Sequence, residues 1–408
     1  MRSVRERLAL PAVVAHGTAA TAASPASAAW TFPLMIFAAF VVAWGAEAAE
    51  FLISQGLALA ALALIQTLPE FAVEAVIAWK AGKDPGMVHL AIANFTGSLR
   101  LLTGLGWPMI YAVAAFYSRR KRGRKLGEIQ LHDDHAVEVL GLLPPLAYFV
   151  LVWAKKSLSL WDAAFLTLTY VVYLWILLKL PAREETVEED EEIPKISRWA
   201  LAQPGWKKWA AVGGLLLFGG AIIYFVAEPF LASMMALAAT FGISQFVFIQ
   251  WVAPFLSEFP EKTSAFAWAR RVTRAPVALM NMVSSNINQW GVLSALLAVI
   301  YSWSRGEPSS LPFDEFQRLE ILLTILQAFL GWIFLASMSL QAYEAVGLFV
   351  LWLVQFVYPS LRSEMLWVYG AWIVIELLLV ALGKKRIPCF SCFWRVWTRR
   401  ETGSGSNP

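Results

Sequence analysis

The sequence predicts an all-α polytopic membrane protein with ten or eleven transmembrane helices in two inverted-topology repeats. Three observations predict it. First, 59% of the 408 residues are hydrophobic and only 15% are charged, where a soluble domain would carry roughly a quarter charged residues. Second, eleven apolar stretches are long enough to cross a bilayer. Third, the two halves of the chain carry the same polar motifs, in the same order, inside their apolar stretches.

Residues 1–29 come first and read as an N-terminal tail or a signal peptide. Arg2, Arg5 and Arg7 precede a weakly apolar run that Pro11 and His16 interrupt, and Ala26-Ser27-Ala28-Ala29 has the small residues of a cleavage site. A hydrocarbon core of about 30 Å needs about 20 apolar residues in a helix. The candidate spans cover roughly 31–51, 57–79, 88–117, 136–154, 158–180, 208–237, 242–268, 276–302, 318–338, 341–358 and 365–383. Short separations among the last three keep a ten-span count open. The first membrane repeat therefore occupies 30–180. The second occupies 208–383, with one extra helix at its C-terminal end.

Charges between the spans set the orientation. Ser118 to Lys125 holds six basic residues; Arg270, Arg271 and Arg274 form a second cluster; Lys384, Lys385, Arg386, Arg395, Arg399 and Arg400 form a third. Eleven spans put all three on one side, which the positive-inside rule makes cytoplasmic, as expected for a multi-pass protein of the plasma (cell inner) membrane. Residues 181–207 then form a cytoplasmic linker, acidic from Glu184 to Glu192, and 384–408 a basic cytoplasmic tail. The basic clusters sit beside spans, and no nucleic-acid-binding pattern accompanies them. Two cysteines, Cys389 and Cys392, exclude a disulfide framework.

The internal repeat carries the chemistry. The first half contains Ile53-Ser54-Gln55, Thr67-Leu68-Pro69-Glu70 and Asn94-Phe95-Thr96-Gly97-Ser98. The second contains Ile243-Ser244-Gln245, Glu258-Phe259-Pro260-Glu261 and Asn281-Met282-Val283-Ser284-Ser285. From Gln to the Pro-Glu glutamate is 15 residues in one half and 16 in the other, and from that glutamate to Asn is 24 and 20. Span two starts inside and span seven outside, so equivalent helices run in opposite directions. Secondary transporters are commonly built this way, with broken helices meeting near mid-membrane.

Glu70, Glu74, Glu258 and Glu261 fall within spans. A charge at mid-membrane costs at least ~2.5–3.5 kcal/mol on insertion scales, so these carboxylates need partners, protons or a cation. Gln66, Glu70 and Glu74 recur every four residues and share a helix face with Thr67 beside them; Ser257 and Glu261 are likewise four apart. Pro69 and Pro260 cannot donate to the carbonyls of Ile65 and Leu256, which adds free acceptors near the glutamates. Asn281, Ser284, Ser285 and Asn288 cluster on one face, as do Asn94, Gly97 and Ser98. Small residues there also permit close helix packing. Hard cations such as Ca²⁺ take oxygen ligands of these kinds, and Na⁺ or protons can use subsets of them.

At these residues the chain resembles the cation/calcium exchanger superfamily, which includes sodium/calcium exchangers and repeats G-T-S-L-P-E and G-N-x-x-G-S-N in inverted halves. The resemblance covers about 57–105 and 242–295. It implies alternating access, with Glu70 and Glu261 as central ligands of Ca²⁺ in competition with Na⁺ or H⁺. It also implies Asn94, Ser98, Asn281 and Ser285 as neighbouring ligands. Thr67, Ser257, Glu258 and Glu74 complete the candidate cation site. The chain departs from the pattern at Ile65-Gln66-Thr67, Leu256-Ser257-Glu258 and Leu99, and places basic Arg100 and Lys262 close to the motifs. Arg100 lies roughly 120° around the helix from Asn94, so it either pairs with another helix or enters the site, where it would repel a cation or neutralise Glu74.

The expected activity is secondary antiport of Ca²⁺ against Na⁺ or H⁺. The alternatives are a monovalent cation/proton antiporter and a transport-inactive membrane scaffold of the same fold. No cofactor and no enzymatic activity are expected: Gly-x-x-x-x-Gly-Lys-[Ser/Thr], His-Glu-x-x-His and Gly-x-Ser-x-Gly are all missing from the sequence. Glu47, Glu50 and Glu228 either line an ion path or sit at the solvated interface. His132-Asp133-Asp134-His135 and Cys389-x-x-Cys392 read as a solvated loop and two inert thiols.

Overall fold

The computed structural model describes residues 24–52, 64–179 and 194–403. The motif Ile53-Ser54-Gln55, the acidic run Glu184–Glu192 and the arginines at the N-terminus lie outside the described residues. The first half comprises α1 (Ala28–Glu50), α2 (Leu68–Lys83), α3 (Val88–Leu101), α4 (Trp107–Arg122), α5 (Ala136–Lys155) and α6 (Leu160–Lys179). A short α7 (Lys195–Leu201) leads into α8 (Trp206–Phe241), α9 (Gln245–Ser257), α10 (Phe259–Ala269), α11 (Ala275–Asn288) and α12 (Ser294–Arg305). The chain ends in α13 (Glu315–Leu335), α14 (Ala342–Val357), α15 (Arg362–Ala381) and α16 (Cys389–Gly403).

Among the described residues, each of the eleven apolar stretches is largely helical. Eight helical stretches among the described residues are long and apolar enough to cross a membrane; Gln245–Ser257 and Ala342–Val357 are shorter apolar helices. Span seven breaks at Glu258 into α9 and α10, as expected of a Pro-Glu helix. Span three runs as one helical stretch through α3, a π-helical turn at Leu102–Gly106, and α4. A matching π-helical turn, Gln289–Leu293, joins α11 to α12.

The polarity of the bundle is that of a protein dissolved in lipid. Its outside carries Leu217, Phe225 and Trp367, whereas Glu70, Glu74, Glu258, Glu261, Arg100 and Glu320 are buried. Water would favour the reverse. In hydrocarbon, ionisable groups are retained only where other protein groups surround them.

Packing follows the repeat. The opening helices of the halves, α1 and α8, lie along each other, with Thr31 and Ser233 hydroxyls 2.8 Å apart in their interface. Helix α3 crosses α9 so closely that a Cβ on Gly97 would stand 1.8 Å from the Gln250 carbonyl oxygen. Helix α2 packs on α12, where the Ser304 hydroxyl donates to the Trp79 carbonyl at 2.6 Å.

Two short antiparallel ribbons close the ends. At one end β1 (Glu128–Gln130) pairs with β4 (Ser339–Gln341). There Arg395 pairs with Asp133 at 3.0 Å, and the Arg270 guanidinium lies over the Tyr117 ring at 5.3 Å. At the other end β2 (Ser157–Leu158) pairs with β3 (Leu311–Pro312), and Lys156 pairs with Glu315 at 3.0 Å. The regions of all three basic clusters therefore share one end of the bundle. That arrangement needs an even number of crossings between successive clusters, as the eleven-span reading has it.

Candidate ion-binding site

Both Pro-Glu helices break at the same place. The first helical turn, at residues 64–66, stops at Thr67 (φ −84°, ψ −2°) before α2 begins. In the second half α9 stops at Glu258 (φ −93°, ψ 5°) before α10 begins. Each break lies two residues before the proline, whose missing N–H makes it suited to the first turn of a new helix and unsuited to continuing an old one. Thr67 and Ser257 serve these breaks: their hydroxyls donate to the carbonyls of Leu64 (2.9 Å) and Pro254 (3.3 Å).

The glutamates meet the Asn helices as the repeat predicts. In the first half the Asn94 amide donates to Glu74 Oε2 at 2.6 Å. In the second the Ser285 hydroxyl donates to Glu261 Oε1 at 2.5 Å. Two further bonds cross between the halves. The Ser98 hydroxyl donates to Glu258 Oε1. The Gln289 amide donates both to Glu70 Oε2 at 2.8 Å and to Glu258 Oε1 at 2.9 Å, bridging a carboxylate from each half. Glu258 lies within electrostatic reach of Glu70 on one side and Glu261 on the other. Asn281 and Gln66 make a longer 3.5 Å contact.

Gln289 is absent from the motif-based candidates. One signal could have found it: it stands four residues after Ser285, on the same helix face. It also opens the π-helical turn of its half, and such turns are frequent at functional sites.

The chemistry of the cluster lies in what is left over. On the Pro-Glu helices, α11 and the π-helical turn that follows it, six buried oxygens lack a hydrogen-bond partner among the described residues: Glu70 Oε1, Glu74 Oε1, Glu261 Oε2, Asn281 Oδ1, Asn286 Oδ1 and Gln289 Oε1. Buried acceptors are normally satisfied, because an unmade bond costs about 1–3 kcal/mol. Carboxylate and amide oxygens left over together are the ligands a hard cation takes. No group of three or more His, Cys, Asp or Glu converges among the described residues. A cation held here would therefore use amide and hydroxyl oxygens beside the carboxylates.

The two basic residues near the motifs have different fates. Arg100 leaves the cluster and pairs with Glu320 on α13, while donating to Gln355 on α14 at 2.9 Å. Arg362 on α15 reaches the same Glu320 at 3.0 Å and donates to Gln250 on α9 at 2.8 Å. This second polar network ties the C-terminal helices to both site-bearing halves. It has no counterpart in the sequence motifs. Lys262 stays in the cluster and pairs with Glu258.

The remaining candidates stay outside. Glu228 pairs with Lys80 at 2.9 Å. Ser264 and Ser197 hydroxyls lie 3.2 and 3.4 Å from Glu47. Cys389 and Cys392 are free and buried at the start of α16.

A sodium/calcium exchanger protein family model matches the chain over residues 23–179 and 211–361. Among solved structures, the H⁺/Ca²⁺ exchanger CAX is 31% identical, with 91% of this chain and 91% of that chain covered and a TM-score of 0.81. The sodium-calcium exchanger NCX_Mj soaked with Na⁺ and Ca²⁺ is 16% identical, with 80% of this chain and 95% of that chain covered and a TM-score of 0.54. No curated protein matches the chain by sequence.

Proposed function

The chain belongs to the sodium/calcium exchanger family, and from that premise we propose that it is a secondary antiporter exchanging Ca²⁺ for H⁺ by alternating access. The cargo would sit between the broken Pro-Glu helices, held by Glu70 and Glu261 with Asn94, Ser98, Asn281, Ser285 and Gln289 around them. Glu74 and Glu258 extend the acidic surface on either side. The observation that carries the reading is the set of six unpartnered buried oxygens on the Pro-Glu helices, α11 and its π-helical turn. Protons are favoured as the counter-ion by the likeness to an H⁺/Ca²⁺ exchanger across 91% of this chain. Carboxylates so deeply buried must be neutralised when no cation is bound, and protons can do that at each of them.

Alternating access follows from the symmetry. Each half supplies one broken helix and one Asn helix, and the cross-half bonds from Ser98 and Gln289 hold the halves together at the cargo. Rocking one half against the other would open the cluster to one side at a time. The driving energy is then the gradient of the counter-ion. The membrane would be the plasma membrane, with the basic end of the bundle cytoplasmic.

Flux tests the reading. Purified protein in liposomes should take up radiolabelled Ca²⁺ when a pH gradient is imposed. Glu70→Gln and Glu261→Gln should each abolish that uptake while the protein remains folded. Uptake that survives both substitutions would remove the site assignment. The alternative, monovalent cation/proton antiport, is separated by the same assay. Na⁺ flux without Ca²⁺ flux would select it, and no cation flux at all would select a transport-inactive scaffold.

A further inference from the structure

Lys262 follows Glu261 directly and stands one helical turn past Glu258 on α10. Its residue is 5% exposed, and its ammonium pairs with Glu258 Oε2. The other oxygen of that carboxylate accepts from both Ser98 and Gln289. Glu258 is thus the one member of the glutamate cluster with both oxygens engaged. Glu70, Glu74 and Glu261 each keep one oxygen unpartnered. In the first half, Thr67 occupies the place of Glu258 and Phe71 the place of Lys262. The carboxylate and its ammonium therefore occur together in one half and are both missing from the other.

A buried ion pair is a poor device for stability alone, since apolar residues of similar volume often serve as well or better. It does have a chemical consequence. An ammonium carries the charge of Na⁺ and here presents it to a carboxylate oxygen, a ligand Na⁺ itself would use at this position.

We propose that the Lys262 ammonium is a tethered cation that occupies the Glu258 position of the site and so prevents Na⁺ from serving as an exchanged ion there. The inference rests on the antiport reading above and deepens it by assigning a residue to counter-ion choice. Its own claim is limited to Na⁺.

The test uses proteoliposomes of the full chain as wild type, Lys262→Arg, Lys262→Met and Glu258→Gln with Lys262→Met. Radiolabelled Ca²⁺ uptake is driven by an outward Na⁺ gradient at equal pH, with choline replacing Na⁺ in the control. Wild type and Lys262→Arg should show no uptake above the choline control. Lys262→Met should gain Na⁺-driven uptake of about tenfold over that control, as an exposed anionic position acquires affinity for the ion. The double variant should lose the gain. Na⁺-driven uptake in wild type would overturn the inference. So would a folded Lys262→Met that ignores Na⁺ while still exchanging Ca²⁺ under a pH gradient. If Lys262→Met does not fold, Ca²⁺ binding to detergent-solubilised wild type decides. Displacement by excess Na⁺ but not by choline overturns the inference, and indifference to Na⁺ supports it. Absence of any Ca²⁺ flux in wild type overturns the antiport reading itself and the inference with it.

Discussion

Gln289 shows how one side chain can join two inverted halves. Its amide donates to Glu70 of the first half and Glu258 of the second, and its own Oε1 is left facing the cluster without a hydrogen-bond partner among the described residues. Leucine has similar size and makes neither bond. Hydrogen bonds to charged groups contribute about 1.5–3 kcal/mol each. Gln289→Leu should therefore weaken apparent Ca²⁺ affinity by at least about tenfold, read from the Ca²⁺ dependence of uptake in liposomes. Its thermal midpoint in detergent should fall as well, because Glu70 and Glu258 each lose a buried donor. Unchanged Ca²⁺ dependence would show that the bridge is structural only. Arg100 teaches the opposite lesson. It lies two residues after Ser98, yet its guanidinium serves Glu320 and Gln355 and not the glutamate cluster.

At the scale of elements, the crossing of α3 on α9 fixes the distance between the halves. Gly97 makes it possible: a methyl group there would stand 1.8 Å from the Gln250 carbonyl oxygen. Backbone cannot yield as a side-chain end can. Gly97→Ala should force the helices apart and lower stability by about 1–3 kcal/mol or more, the usual cost of overpacking. A lowered midpoint in a tryptophan-fluorescence melt, together with loss of Ca²⁺ uptake, is the expected outcome. A wild-type midpoint would show that the crossing is looser than described. The same crossing carries Gln250, which also donates to Glu320 at 2.8 Å, so α9 is held from both sides. The helix breaks at Thr67 and Glu258 and the paired π-helical turns recur at matching places in both halves, which makes them features of the repeat.

At the scale of the whole molecule, the bundle has two distinct ends. One carries the β1–β4 ribbon with the basic loops, and the other carries the β2–β3 ribbon. With the basic end cytoplasmic, Lys125→Cys should resist a membrane-impermeant maleimide in intact cells and react after permeabilisation. Ser310→Cys should react in intact cells. Both native residues are exposed. The native thiols give little background, since burial pushes the Cys389 thiol up to about 11 and also raises Cys392, and a thiol reacts only as thiolate. The reverse labelling pattern would invert the orientation without changing the fold. The C-terminal helix α15 is wired into this architecture through Arg362, which reaches Glu320 and Gln250 from outside the ten-span plan.

Much of this was legible in the chain itself. Lipid imposes long apolar stretches on any helix that crosses it, so the spans could be read directly, with their count left at ten or eleven. A repeated motif must occupy equivalent places in a repeated fold, so Glu70, Glu261, Asn94, Ser98, Asn281 and Ser285 could be named as candidates for the proposed site. Loop charge set the relative sides. The tertiary structure decided what depends on which helices touch. It gave Gln289 two carboxylates, turned Arg100 away toward Glu320, kept Lys262 against Glu258, and set Thr67 and Ser257 to capping the helix breaks. Helical spacing fixes the face a side chain occupies but not the neighbour that face meets. Gln289 and Glu70 stand 219 residues apart and Arg100 and Glu320 stand 220 apart, and only the folded packing brings them within reach.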